Sequence, residues 1–431
     1  MNRYDKELLF NKLNDLYLFS QNSKDDISFY FEGVKSVFYQ FDFYSTDEMN
    51  DNPSKNEVKN ILLIQLKRIG DNIEASGAID EVRKIYPNAF ITLVCTHKEL
   101  FIADPNIDEL IEINLARYSN FREVLAFIKE HLWNRVYDLS IDFHWAYNEP
   151  ALVLSLFSGA KQRIGYGSDM PDMYCKDLTC DEAVLDQRTS LDSFFLTDVI
   201  ANPFDMIHEI DRKYWPLHYL IKKNNIDYKI TEHKLKLYID EDDKDNIEEI
   251  IQPYKNKKKI ILGIGSRQEN RKYPLDLYSE VVDSINEIDD VQFFVIGTKQ
   301  DLLADTELNE VLPQDNVVDL IDKLTLGETL ALINESDIFI GNMSGPMHAA
   351  SALNKPIIAI LRDAISEDNN HPEFFSEYQR FHPFNGICVR PKKPLKDCDR
   401  SLVLGHCCKD EAHCITQIDP EEIVQAYEQI M

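Results

Sequence analysis

Hydrophobic and polar positions fall into two rhythms along this chain. Residues 61–66 (ILLIQL) are almost continuously apolar over the length of a strand, whereas 72–85 space their apolar positions three and four apart, as a helix does. The rhythm repeats, with strands expected at 91–95, 109–113 and 139–143 and a helix at 121–132. In the second half, strands are expected at 259–264, 291–296, 338–341 and 357–361, and helices at 274–286, 326–334 and 346–353. Short apolar runs separated by helix-length segments predict an α/β fold of parallel, doubly wound sheets. A last helix at 420–430 opens on Asp419-Pro420, a cap followed by a residue suited to the first turn. Ahead of the first sheet, residues 4–19 are helical in pattern, and ISFYFEGVKSVFYQFDFY, aromatic and partly alternating, reads as strands. Residues 47–60 are polar, carry Pro53 and read as a linker, while the polar, helical stretch 190–226 leads to a boundary within 227–258. The expected organisation is an extension at 1–56, a Rossmann-like domain at 57–230, and a second at 231–431 with a cysteine-rich tail and a C-terminal helix.

Two strand ends carry candidate chemistry. IFIGNMSGPMH, at 338–348, turns from an apolar run into a loop whose backbone N–H groups open a helix, an arrangement that binds anions. The plainer alternative is a Gly345-Pro346 turn with proline at a favoured helix start. ILLIQLKRIGD, at 61–71, runs from a buried strand into Lys67, Arg68, Gly70 and Asp71, where Asp71 is either a reacting carboxylate or a helix cap. Polar tips on two strands so far apart in sequence suggest two domains facing one cleft.

Composition narrows the partners. The chain has 431 residues, 44% hydrophobic and 28% charged, enough for two cored domains, and its formal charge of −29 argues against nucleic acid or an anionic membrane surface as a broad partner. An anion would bind only where local cations and backbone dipoles overcome that field. The opening residues mix charges and no apolar run nears the ~18 residues of a membrane span, so a cytoplasmic protein is expected. Of eight cysteines, Cys388, Cys398, Cys407, Cys408 and Cys414 crowd the tail. In a reducing compartment that favours a metal over a disulfide, with unconnected thiols as the other reading, and the spacing is not the paired CxxC of a clear zinc site. Asp240-Glu241-Asp242-Asp243 could be taken for a metal-binding acidic motif, but fits a solvated helix start better.

From about residue 59 to 430 the chain resembles glycosyltransferase family 9, the lipopolysaccharide heptosyltransferase family, whose architecture is GT-B. The likeness rests on ILLIQLKRIGDNIEASGAIDEVRKIYPNAFITLV, YDLSIDFHW with GAKQRIGY, IILGIGSRQENRKYP, FFVIGTKQD, and VVDLIDKLTLGETLALINESDIFIGNMSGPMHAASALNKPIIAIL. It implies inverting transfer of a sugar, usually heptose from ADP-heptose, to a hydroxyl of a glycolipid core. Asp71 stands at the family's base position and Gly70 beside it. Arg271, with Lys272, falls on the phosphate-binding lysine of a Lys-x-Trp-Pro motif that here reads Arg271-Lys272-Tyr273-Pro274. Ser266, Thr298, Asn342, Ser344, Gly345, Pro346, Met347 and His348 are the other implied substrate contacts. Met343 departs from an acid present in many relatives, which puts the donated sugar in question. No catalytic metal is expected. The tail, with His413-Cys414, resembles that of a branch that heptosylates exported adhesins and carries cysteine-bound iron, so structural iron or zinc at the tail cysteines is implied. The implied partners are the nucleotide sugar, a glycolipid or protein acceptor reached at the inner membrane, and further copies of the chain. Transfer to glycolipid leads, with transfer to protein and a catalytically silent nucleotide-sugar-binding protein as alternatives.

Overall fold

The computed structural model describes residues 6–8, 10–11, 53–114, 121–145, 148–166, 195–201, 206–302, 307–368, 375–398 and 409–431. The expected strands at 27–44, with Cys175, Cys180, Cys407 and Cys408, lie outside them.

Two compact units divide the chain. The first gathers Met1–Lys98, Pro105–Met206 and Ile210–His233; the second gathers Glu99–Asp104, Ile207–Glu209 and Lys234–Met431. In chain order the first contains β1 (Asn60–Gln65), α1 (Ile69–Ile85), β2 (Phe90–Cys95), β3 (Glu109–Glu112), α2 (Phe121–His131), β4 (Leu139–Asp142), α3 (Glu149–Phe157), β5 (Gln162–Tyr166) and β6 (Asp198–Ile200). Helix α4 (Glu209–Lys223) follows. The second contains α5 (Glu241–Ile251), β7 (Lys258–Gly263), α6 (Leu275–Ile288), β8 (Val291–Ile296), α7 (Leu308–Val311), β9 (Val317–Asp319), α8 (Leu326–Glu335), β10 (Ile338–Asn342), α9 (Gly345–Ala352), β11 (Ile357–Ile360), α10 (Glu377–Phe381), β12 (Gly386–Val389) and α11 (Pro420–Ile430).

The two sheets are β3-β2-β1-β4-β5-β6 and β12-β11-β10-β7-β8-β9, parallel throughout. Counted from its own first strand, each has the same Rossmann order, so the order reverses between β1 and β4 and again between β7 and β10. This is the doubly wound α/β fold of GT-B proteins. Burial follows from it: β1 and β2 hide every residue after the first, and β8 hides all six, because helices cover both faces of a parallel sheet.

Local chemistry sets the helix ends. Asp240 accepts the Asp242 N–H at 2.9 Å and caps α5, so the acidic run is a helix start. Thr325 and Glu328 form a reciprocal capping box on α8, and Asp419 accepts the Glu421 N–H at 3.0 Å ahead of Pro420. Strands β5, β6, β9 and β12 were not expected from the pattern. Each has three to five residues, too few to show a period, and β6 falls inside the stretch expected to be helical at 190–226. Of the extension, Phe10 places its ring 5.2 Å from Trp133 and 6.3 Å from Phe157. Lys6, whose pKa burial pushes down to about 8, reaches the Arg135 carbonyl at 3.4 Å.

Candidate active site

At the first sheet's reversal point the chain leaves β1 and enters α1 through Leu66, Lys67 and Arg68. Asn72, fully buried, ties this turn by donating to the Lys67 and Arg68 carbonyls at 2.9 and 2.8 Å and to Thr96 Oγ1 at 3.0 Å. Opposite, at the end of β4, His144 Nε2 accepts the Leu66 N–H at 2.9 Å, which leaves Nδ1 to donate to the Asp142 carboxylate. His144 is fully buried, so this pair braces the loop from beneath. Arg68 occupies the cap position without a side-chain cap bond, and Asp71 is the third residue of α1, not its cap. The Asp71 carboxylate lies 4.0 Å from Lys67 Nζ, both about a quarter exposed, and Lys67 also sits 5.0 Å from the centre of the Trp145 ring. Two acceptor oxygens here, Gln65 Oε1 and Asn72 Oδ1, are buried without a hydrogen-bond partner among the described residues.

At the second reversal point Asn342 holds two loops together. It is fully buried, donates to the Ile264 carbonyl at 2.6 Å, and accepts from the Tyr273 N–H at 3.0 Å and the Tyr278 hydroxyl at 3.3 Å. Its amide is therefore engaged within the protein, and it acts on the site by fixing the backbone that follows β7 and β10. Close approach makes this packing possible: a Cβ at Gly341 would lie 2.5 Å from the Gly263 carbonyl oxygen. Ser344 begins α9 with no side-chain cap bond, and its buried Oγ has no partner among the described residues. Gly345 and Pro346 are half-buried beside it, while Met347 and His348 turn inward at 0% and 8% exposure. Met343 is also buried.

The basic residues are engaged by acids. Arg271 Nη2 bonds Glu377 Oε1, while Arg271 Nε is buried with no partner, as is Gln268 Oε1 in the same loop. Lys272 lies 2.7 Å from Glu269 and 3.0 Å from Asp301, and also donates to the Gln300 carbonyl at 3.0 Å. Burial works against its charge, yet Glu269 and Asp301 outweigh that and hold its pKa above the ordinary lysine value. Asp301 also accepts the Thr298 N–H at 2.8 Å and its hydroxyl at 2.9 Å, and would meet a Cβ on Gly265 at 2.6 Å. Thr298 is thus tied to Asp301, and Ser266 is half-buried in the loop after β7. Sequence reasoning missed Asp301, Glu377 and Arg362; nothing local marks them, because Glu377 lies 106 positions from Arg271.

In the tail, Cys398, His413 and Cys414 bring their ligand atoms within 4.8 Å of one another. His413 Nδ1 lies 3.4 Å from Cys414 Sγ, and Nε2 lies 3.1 Å from Asp397, a carboxylate placed to orient a ligating imidazole. Two sulfurs and a nitrogen form a donor set that suits zinc or iron. Cys388 stands apart on β12, its pKa pushed up to about 12 by burial, and is not in this group; His413 takes a place expected for a cysteine.

Two Rossmann-like units, each with polar loops at its reversal point, form the α/β fold called GT-B. A family model described as "Glycosyltransferase family 9 (heptosyltransferase)" matches residues 182–367. Lipopolysaccharide heptosyltransferase 1 of Campylobacter coli is 35% identical over 128 residues, 28% of this chain and 36% of that protein, so the match spans only about a third of its length. The lipopolysaccharide core heptosyltransferase OpsX of Haemophilus influenzae is 21% identical over 304 residues, 70% and 78% of the two chains. These matches make the chain similar to glycosyltransferase family 9, the heptosyltransferase family, over part of its length. In fold it is similar to a family 9 glycosyltransferase from Veillonella parvula, with a TM-score of 0.64, 20% identity, and 86% and 97% of the two chains covered. It is also similar to the E. coli ADP-heptose lps heptosyltransferase II, at 0.60, 16%, 86% and 98%. No helix among the described residues is long and apolar enough to cross a membrane.

Proposed function

We propose that this chain is an inverting glycosyltransferase that moves heptose from ADP-heptose to a hydroxyl of a lipopolysaccharide-type glycolipid. The observation that carries the reading is the second reversal point. There a helix start and two side-chain atoms with no partner among the described residues, Ser344 Oγ and Arg271 Nε, occur on loops pinned together by Asn342. Phosphate oxygens supply the acceptors that such groups lack. In this reading Asp71 takes the proton of the acceptor hydroxyl as that oxygen attacks the anomeric carbon. The bond to the diphosphate breaks on the opposite side, and the diphosphate leaves with the bonding electrons. Arg271 and the α9 backbone stabilise the charge that develops on it. Met347 contributes its backbone N–H, while His348, whose N–H is donated to the Ser344 carbonyl at 3.3 Å, contributes packing.

ADP should raise the melting temperature more than other nucleoside diphosphates, since a ligand at 100 times its Kd stabilises by roughly 2.7 kcal/mol. ADP release should then require both ADP-heptose and acceptor. ADP binding without release in the presence of glycolipid or protein acceptor would favour a silent binding protein, a reading that Met343, buried where relatives carry an acid, keeps in play. Release with a protein acceptor alone would move the substrate to protein.

Cys398, His413 and Cys414 would hold structural zinc or iron that ties the tail to the second unit. Elemental analysis should find about one ion per chain by the usual ligand count. Cys414→Ser should lose the ion and lower the melting temperature, because metal binding is coupled to folding; an unchanged melting temperature in a metal-free protein would refute the site.

A further inference from the structure

We propose that Glu377 is a positioning residue for the nucleotide sugar: it holds the Arg271 guanidinium at the angle in which Nε meets the diphosphate. The inference rests on the reading of Arg271 as the diphosphate-binding cation. Glu377 is 3% exposed and lies on α10, far in sequence from both reversal-point loops. Its two oxygens are shared by two arginines. Arg362, 1% exposed, gives Nη2 to Oε1 and Nε to Oε2 at 3.1 Å, while Arg271 gives Nη2 to Oε1.

Arg362 is fixed on its other side. Its Nη1 bonds Asn270 Oδ1, and Asn270 in turn donates to the Lys409 carbonyl at 2.6 Å. The Asp363 carboxylate accepts the Glu377 backbone N–H, which anchors the start of α10. Glu377 is therefore rigid before Arg271 reaches it.

Within the trio two cations meet one anion. Arg362 is wholly buried and has a partner for each of its nitrogens, so the surplus charge belongs to Arg271, whose side chain is 19% exposed. A guanidinium is planar, so holding Nη2 on Glu377 sets the direction of Nε, the buried nitrogen without a partner. A carboxylate that reaches Arg271 thus does more than balance charge: it fixes which edge of the fork an incoming anion meets.

Glu377→Asp tests this, because it keeps the charge and withdraws the reach by one methylene. ADP and adenosine affinities should be measured side by side. Glu377→Asp should weaken ADP at least tenfold, the scale of one charge-assisted hydrogen bond, and leave adenosine within twofold. In an Arg271→Ala background it should have no further effect on ADP. Equal weakening of ADP and adenosine, or additive effects of the two substitutions, would make Glu377 merely structural and overturn the proposal. Should Glu377→Asp fail to fold, Arg271→Lys decides. An oriented fork predicts that lysine binds ADP nearly as poorly as alanine, and ADP affinity within twofold of the parent would overturn the proposal. If Arg271→Ala itself leaves ADP affinity unchanged, the diphosphate reading of Arg271 fails. If Arg271→Ala weakens ADP while Glu377→Asp does not, only the positioning role fails.

Discussion

The two sheets share one strand order, yet only the second reversal point leaves a donor nitrogen unmet among the described residues. The first leaves acceptors unmet, Gln65 Oε1 and Asn72 Oδ1, near an accessible carboxylate on Asp71. The second also leaves an acceptor unmet, Gln268 Oε1, but adds a nitrogen that can only donate, Arg271 Nε, and Ser344 Oγ at a helix start. Oxygens lacking donors suit a ligand rich in hydroxyls, whereas donors lacking acceptors suit an anion. Under the proposed function, a repeated fold is fitted to the two halves of a sugar transfer by side chains at the tips of equivalent strands. The bracing differs too. His144 and Asp142 support the first loop through a neutral imidazole, while the second depends on an amide, Asn342, and on buried ion pairs.

The largest effect expected from breaking this contrast is at Asp71. Asp71→Asn should cut turnover about 100-fold or more, the scale of general base catalysis, with ADP affinity unchanged. A parallel loss of ADP affinity would erase the division of labour between the sheets.

Acid should act next, and on the first unit. His218 Nε2 lies 2.8 Å from His233 Nε2, and His233 Nδ1 lies 2.7 Å from Asp211. Burial first, and His233 second, push the His218 pKa down to about 4, while Asp211 and Glu81 work in the other direction. The unfolded chain protonates this histidine near pH 6.5 and the folded chain resists until about 4, so stability is retained above 6.5 and falls as pH drops between them. The loss should approach about 3 kcal/mol, converted at 1.36 kcal/mol per pH unit. Urea titrations at pH 7 and 4.5 check it, and His218→Gln should flatten the dependence; an unchanged slope would locate acid sensitivity elsewhere.

Asn342→Ala should cost about 2 kcal/mol, because it strands the buried Tyr273 N–H and the Ile264 carbonyl. Calorimetry should show a lower melting temperature for the second unit and weaker ADP binding. Full stability would mean that the loops are held by other contacts.

Much of this was legible in the chain because parallel strands must be apolar on both faces. β1, β2, β8, β10 and β11 announce themselves as runs, and α11 was expected at its observed limits. The short strands were silent, with β6 only three residues long. At the site, the α9 start and the position of Asp71 could be read because a loop motif carries them. Asn342 could not: a polar residue at a strand tip looks the same whether it meets a ligand or a neighbouring backbone, and only the fold brings Ile264 and Tyr273 to it. Glu377 and Arg362 were hidden for a related reason, since a buried ion pair between distant segments has no local period. Lys272 looked like a waiting cation and is held between Glu269 and Asp301.

The Asn342 staple also bears on how the molecule is made. The first sheet is complete in sequence once β6 has been synthesised, and domains fold as units, amino-terminal first, during translation. The loops of the second sheet are joined later, because Asn342, at the end of β10, spans 78 and 69 positions to its partners. A nascent chain on the ribosome therefore carries its candidate proton acceptor on a finished scaffold while the loops meant for the diphosphate are still unassembled. A chain that stopped anywhere between β7 and β10 would bear Asp71 and lack the Ser344 helix start.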